Sequence, residues 1–257
     1  MAKITWTPGT LVYPLPPVMI TSGTMEHPNI FTAAWTGIIN SEPAMTYVSV
    51  RKERYSHDLI EKNKEFVINL TTQATVKAAD FCGVKSGKDV DKFAETKLTP
   101  VACSVVKAPQ IAECPVSVEC QVTEVKHLGS HDMFLAKIVA VNVDDSFIEN
   151  GRLALEKTGL VAYCHGQYYG LGQNLGKFGF SVEKKKSRKQ RIHEIKHERA
   201  VLKFAQKEKK EVLPEKKAKK TFKKSEPRAE HKKPFEKTGM KPKKFNHNSG
   251  IKKARKK

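Results

Sequence analysis

Val116-Ser117-Val118-Glu119-Cys120-Gln121-Val122-Thr123-Glu124-Val125 decides the fold class. Val116, Val118, Cys120 and Val122 fall on one face, and Ser117, Glu119, Gln121 and Thr123 on the other. A repeat of two residues is the period of a β-strand with one buried side. Similar extended runs recur on both sides of it: Pro17–Ser22, Ile30–Ile39, Met45–Val50, Phe66–Leu70 and Met133–Val143. Turn signals separate them at His27-Pro28-Asn29, Asn40-Ser41-Glu42-Pro43 and Gly129-Ser130-His131-Asp132. Strands at this spacing predict an antiparallel barrel or sandwich over residues 1–182.

Helices are few in this region. Ser56 is placed to cap a helix over His57–Lys62, with Leu59 and Ile60 facing inward. Thr71 or Thr72 is placed to cap a second, which runs to about Phe81 and stops near Gly83. A domain of this size can bury roughly two-thirds of the surface its unfolded chain exposes, enough for one core.

Charge divides the chain in two. Residues 1–182 hold 17 basic and 18 acidic residues, and residues 183–257 hold 30 and 9. The whole excess of the +20 chain therefore lies in the last part. This excludes a uniformly basic nucleic-acid-binding domain and predicts a near-neutral body with a Lys-rich tail. Ile192, Ile195, Val201, Leu202, Phe204 and Ala205 allow a helix over about 187–212, ended by Pro214. Beyond it there is too little apolar surface to offset the entropy of ordering, so disorder is expected.

No stretch approaches the ~18 consecutive apolar residues of a membrane span. Met1–Pro8 lacks the basic and apolar segments of a secretory signal, so a cytoplasmic location is expected. The five cysteines are an odd number and form no CxxC, which argues against a disulfide framework or a ribbon-type zinc site. His127 and His131 have the i,i+4 spacing of a helical metal pair, but Gly129-Ser130 between them reads as a turn. Cys164-His165 are neighbours in sequence, whereas catalytic pairs meet in space. Gly170–Gly176 is glycine-rich without the strand–helix context of a dinucleotide fingerprint, so it reads as a turn or a loop closing over a ligand.

Two segments carry chemistry. In Ser49-Val50-Arg51-Lys52-Glu53-Arg54-Tyr55-Ser56 a strand ends, cations cluster and a helix begins. A helix start offers free N–H donors and partial positive charge, and arginine adds paired donors, so the segment suits a phosphate. Taken alone, the segment reads as a solvated basic turn with an ordinary cap. In Asn29-Ile30-Phe31-Thr32-Ala33-Ala34-Trp35-Thr36-Gly37, small residues let the backbone approach a flat ring, which Trp35 would cover. Alone, this is also a buried strand with a core tryptophan.

Together the segments resemble the flavin reductase-like family, in its flavoredoxin branch. Further matching segments follow in order: Glu65-Phe66-Val67-Ile68-Asn69-Leu70, Ser86-Gly87-x-Asp89-Val90-Asp91-Lys92-Phe93, Leu128-Gly129-Ser130-His131-Asp132-Met133-Phe134 and Leu175-Gly176-Lys177-Phe178-Gly179-Phe180. The likeness runs from about Lys3 to Val182 and covers nothing beyond. It departs at Gly129-Ser130-His131, where the family often has Gly-Asp-His.

The resemblance implies an FMN-binding split β-barrel (Greek key) and a homodimer with flavin near the interface. Electrons would pass from NAD(P)H or another donor through FMN to a small-molecule or protein acceptor. Thr32, Ala33, Ala34 and Trp35 would line the isoalloxazine. Ser49 and Val50 would add backbone and hydroxyl contacts. Arg51, Arg54 and Ser56 would hold the phosphate, with Asn69 and Lys92 as further cofactor candidates. His131 would stand on the nicotinamide side as the catalytic candidate, and it or an arginine would supply positive charge near the reduced ring. Two other functions compete: a non-catalytic FMN electron carrier, and a nucleic-acid-associated protein. The tail over 183–257 is expected to bind polyanions weakly and without sequence preference. No metal site and no membrane partner are expected.

Overall fold

The computed structural model describes residues 1–182, 195–196 and 199–200. The chain divides into two compact units, Met1–Phe178 and Gly179–Lys257. The expected boundary at Val182 lies a few residues further on.

In the first unit the elements follow as β1 (Val18–Gly23), β2 (Pro28–Ala33), β3 (Thr36–Ser41), β4 (Ala44–Arg51), α1 (Tyr55–Asn63), β5 (Glu65–Leu70), α2 (Val76–Val84) and α3 (Lys92–Thr96). Next come β6 (Pro100–Val101), β7 (Gln110–Ile111), β8 (Val116–His127), β9 (His131–Val143), β10 (Ile148–Glu149), β11 (Arg152–Leu153), β12 (Val161–Cys164) and β13 (Gln167–Gly170). Seven strands form one antiparallel sheet in the order β2-β1-β5-β8-β9-β4-β3.

The order explains a break that the sequence hides. Ile30–Ile39 reads as one run, yet β2 and β3 are the two opposite edges of the sheet. Only Ala34 and Trp35 join them, a reach of about 11 Å at most. The sheet must therefore curl until its edges approach, which makes a split barrel. The long strands β8 and β9 supply the bend through register shifts at Glu119/Cys120 and Val122/Glu124.

Alternation sorts the side chains into two cores. Val18, Ile20, Phe31, Val48, Val50, Phe66 and Phe134 fill the barrel, with Ile60 of α1 plugging it. Met19 and Ile30 point the other way and pack with Ala79, Cys82 and Phe93 of α2 and α3. The alternation of β8 holds, but Ser117 and Glu119 on its polar face are buried as well. Glu119 accepts from the N–H groups of Ser104, Val105 and Val106, from the Ser104 hydroxyl and from Asn142. Burial opposes its ionisation, but these donors outweigh that and hold the carboxyl down to about 2.

Both expected helix starts shift. Tyr55 opens α1 with Arg54 at its cap, and Ser56 lies inside the first turn. Thr72 and Thr75 instead close a turn, with the Thr72 N–H donating to Thr75 Oγ1 over 2.9 Å. That turn delays α2 to Val76, and α2 runs through Gly83. The unexpected α3 is capped by Asp91, which accepts from the Ala94 N–H. All five cysteines are free. No helix among the described residues is long and apolar enough to cross a membrane.

In the second unit Phe180–Val182 form a 3-10 turn, and Ile195, Lys196, Arg199 and Ala200 are helical. The rest of the expected 187–212 helix, and the segment after Pro214, lie outside the described residues.

Candidate flavin cleft

The link between the sheet edges borders a cleft of about 370 Å³, within the range of small-molecule sites. The end of β2 supplies Thr32 and Ala33, the link Ala34 and Trp35, and the end of β4 Ser49, Val50 and Arg51. The Ser49 N–H donates to the Trp35 carbonyl over 2.9 Å, which fixes the link against β4. Thr32 Oγ1 donates to the Ala79 carbonyl over 2.5 Å and ties the link to α2. Trp35 is 38% exposed, and its ring lies 4.5 Å from that of His131, tilted by 34°. It is therefore not a core tryptophan but one wall of the cleft.

The His131 imidazole is pushed below its ordinary range, first by burial and then by the nearby Arg51 cation, with Glu53 opposing. In the flavin-free fold Arg51 therefore weakens the hold of His131 on a proton.

A second hollow of about 300 Å³ shares Phe31, Arg51 and Arg54 with the first and adds Glu53, Tyr55, Ser56, Lys85, Ser86, Gly87 and Lys92. The first turn of α1 opens on it, so helix N–H donors and four cations face one carboxylate. Arg51 Nη1 pairs with Glu53 at 2.8 Å. Both groups are well exposed, so the pair is weak and the guanidinium is free to turn to an anion. Arg54 Nη1 donates to the Gly83 carbonyl over 3.2 Å. Lys92 is buried and spends two of its three protons on the carbonyls of Ile30 and Cys82, at 2.7 and 2.8 Å. Burial lowers its ammonium to about 8, with Arg54 adding to the effect and Cys82 opposing it.

The fold thus gathers Thr32, Ala33, Ala34, Trp35, Ser49, Val50, Arg51, Arg54 and His131 around one cleft, and Ser56 and Lys92 around its extension. Asn69 does not join them. It is fully buried, donates to the Met19 carbonyl and Thr21 Oγ1, and accepts from the Ile111 N–H and Ser117 Oγ. Its polar capacity is spent inside the framework.

Sequence reasoning missed Asp80, Gly83 and Val84 of α2, and Tyr163, Gly166 and Tyr168 of the β12–β13 hairpin. It also gave no role to Lys85, Ser86 and Gly87. The hairpin had a usable signal in Cys164-His165-Gly166: His165 and Gly166 both adopt positive φ, as a two-residue turn requires.

His127 and His131 are parted by a hairpin, not joined on a helix. His131 meets Trp35, while His127 Nδ1 lies 3.0 Å from Asp132 Oδ1. Asp132 is buried and also accepts from His57 Nε2 over 2.9 Å. It thereby ties the first turn of α1 to the strand that carries His131.

A flat cleft walled by close backbone and an indole, ending in a cationic hollow, fits a planar ring system joined to a phosphate. The curled seven-stranded sheet around it is the split barrel of flavin-binding redox proteins. Residues 10–172 match the family described as flavin reductase like domain, and the chain belongs to that family, in its flavoredoxin branch. It is similar to the flavoredoxin of Desulfovibrio vulgaris (Miyazaki F), with 32% identity, a TM-score of 0.66, and coverage of 71% of this chain and 100% of that one. It is also similar to the flavoredoxin from Methanosarcina acetivorans, with 25% identity, a TM-score of 0.65, and coverage of 71% and 100%. An uncharacterized protein of Archaeoglobus fulgidus is 35% identical over 136 residues, 53% of this chain and 76% of that protein.

Proposed function

We propose that the chain is an FMN-dependent oxidoreductase that passes electrons from NAD(P)H or another donor to a small-molecule or protein acceptor. One observation carries this: Arg51 and Arg54 stand where the ring cleft and the cationic hollow meet, with Ser56 and Lys92 behind them. A flavin without phosphate would leave that hollow unmatched. Bound FMN supplies the hydride and electron-passing chemistry. The chain's residues would orient it: backbone at 32–35 and Ser49–Val50 would line the ring, Trp35 would cover one side, and Arg51 would offset negative charge. His131 would offer a hydrogen-bonding ring nitrogen on the nicotinamide side.

This reading includes a homodimer, as the resemblance implies, a cytoplasmic location, and a tail over 183–257 that holds polyanions by charge. FMN should bind at least about tenfold more tightly than riboflavin, since each charged hydrogen bond contributes roughly 1.5–3 kcal/mol. Arg51→Ala should remove most of that difference while the protein stays folded. Equal affinities in the wild type would overturn the assignment. Steady NAD(P)H oxidation with free FMN as acceptor marks a reductase. Its absence in FMN-loaded protein marks an electron carrier instead.

A further inference from the structure

The hairpin side of the cleft has a chemistry that phosphate binding does not use. Tyr163 and Tyr168 face each other across the β12–β13 ladder, their ring centroids 5.3 Å apart at 61°. Asp80 of α2 lines the same cleft, the one carboxylate among its lining residues. Burial, and then the Asp80 charge, push that phenol up to about 12, so it keeps its proton at any working pH. A carboxylate has only lone pairs to offer, and the oxygen of a protonated phenol can accept as well. The corner therefore accepts hydrogen bonds and carries negative charge, the reverse of the hollow around Arg51 and Arg54.

We propose that Asp80 and Tyr168 form a subsite that selects the electron partner, taking groups with N–H donors or positive charge and turning away carboxylates and phosphates. The inference rests on the FMN reading and adds the partner's chemical class to it. A like charge brought up to the Asp80 carboxylate is disfavoured, while an N–H donor can bond to it and to the phenol oxygen.

The test uses the FMN-loaded chain at low salt and two probes on one ring: the 1-methylnicotinamide cation, with a carboxamide N–H, and nicotinate, with a carboxylate. Binding is read from the perturbation of the flavin absorption band, without turnover. The cation should bind at least about tenfold more tightly, a difference of ~1.4 kcal/mol. Asp80→Asn should bring the two within about twofold, and Tyr168→Phe should narrow the gap less, because the carboxylate remains. Both variants should still load FMN, which also shows that they fold. Nicotinate binding as well as the cation, or a ratio that survives Asp80→Asn, would overturn the subsite while leaving the flavin reading intact. Failure of the wild type to load FMN would overturn both.

Discussion

Asn29 donates its side-chain amide to the Ser56 hydroxyl over 2.7 Å, and this bond sets where the serine proton points. The oxygen already accepts, so its own O–H is free to donate. Ser56 is buried and lines the cationic hollow, so an anion seated there is the natural acceptor. The contact also orders β2 against α1, so ring cleft and phosphate end are held as one piece.

Gly87 depends on the same asparagine. A Cβ there would come within 2.1 Å of Asn29 Oδ1 and 3.0 Å of the Tyr55 ring. Gly87→Ala should displace Asn29 from Ser56 and weaken FMN by about tenfold or more, with a smaller effect on riboflavin. Overpacking of this kind costs roughly 1–3 kcal/mol, a drop of several degrees in Tm at this size. Flavin titrations and a thermal melt check it, and unchanged FMN affinity would count against the hollow as the phosphate site.

Lys92 should give binding a pH dependence. Its ammonium is lowered from 10.5 to about 8 in the folded chain, chiefly by burial. Between those values the unfolded chain still holds the proton and the flavin-free fold does not. Stability of the flavin-free protein should therefore rise with pH across that window. A phosphate favours the ammonium, so FMN affinity should fall as pH passes about 8. Lys92→Met should abolish both trends, as melts and titrations from pH 7 to 10 would record.

Glu119 should mark the acid limit. Its folded carboxyl sits near 2 against an ordinary 4.5, because its donors outweigh the cost of burial. The stability it contributes is complete above 4.5 and is lost as pH falls toward 2. Glu119→Gln turns an N–H₂ toward the N–H groups of Ser104 to Val106 and should cost several kcal/mol at pH 7, at roughly 1–3 kcal/mol for each buried group left unpaired. The gap between variant and wild type should close on acidification, and a gap constant down to pH 2.5 would contradict this.

The tail should act alone. A chain ending at Val182 should keep FMN and lose binding to RNA or DNA. In the full chain that binding should fall steeply with salt, with roughly 0.7–0.9 in log–log slope for each phosphate neutralised. Filter binding across a salt series decides it, and salt-insensitive affinity would point to a folded interface instead.

The strands of the sheet were legible because Val116–Thr123 alternates and runs such as Met45–Val50 and Phe66–Leu70 are rich in residues that favour extended backbone. The break at Ala34–Trp35 was not, since both flanks favour extended backbone and only sheet closure separates them. Thr72 misled for a local reason: its turn with Thr75 takes the place of the cap expected of it. Ser49–Ser56 marked the phosphate end because cations and a helix start are adjacent in sequence. Asp80, Tyr163 and Tyr168 escaped notice because α2 and the last hairpin become neighbours only in the folded chain. Asn69 looked available as a polar residue in an apolar strand, and its four partners come from β1, β7 and β8.

Between β2 and β3 the sheet has no rungs: its two edges are stitched by a dipeptide and otherwise left open. A guest in the neighbouring cleft would touch that dipeptide, the end of β2, the end of β4 and α2 at once, acting as a keystone for segments that few main-chain hydrogen bonds connect. At a hundred times its dissociation constant a ligand adds about 2.7 kcal/mol to the folded state, so heat tolerance and amide exchange in those segments become gauges of occupancy.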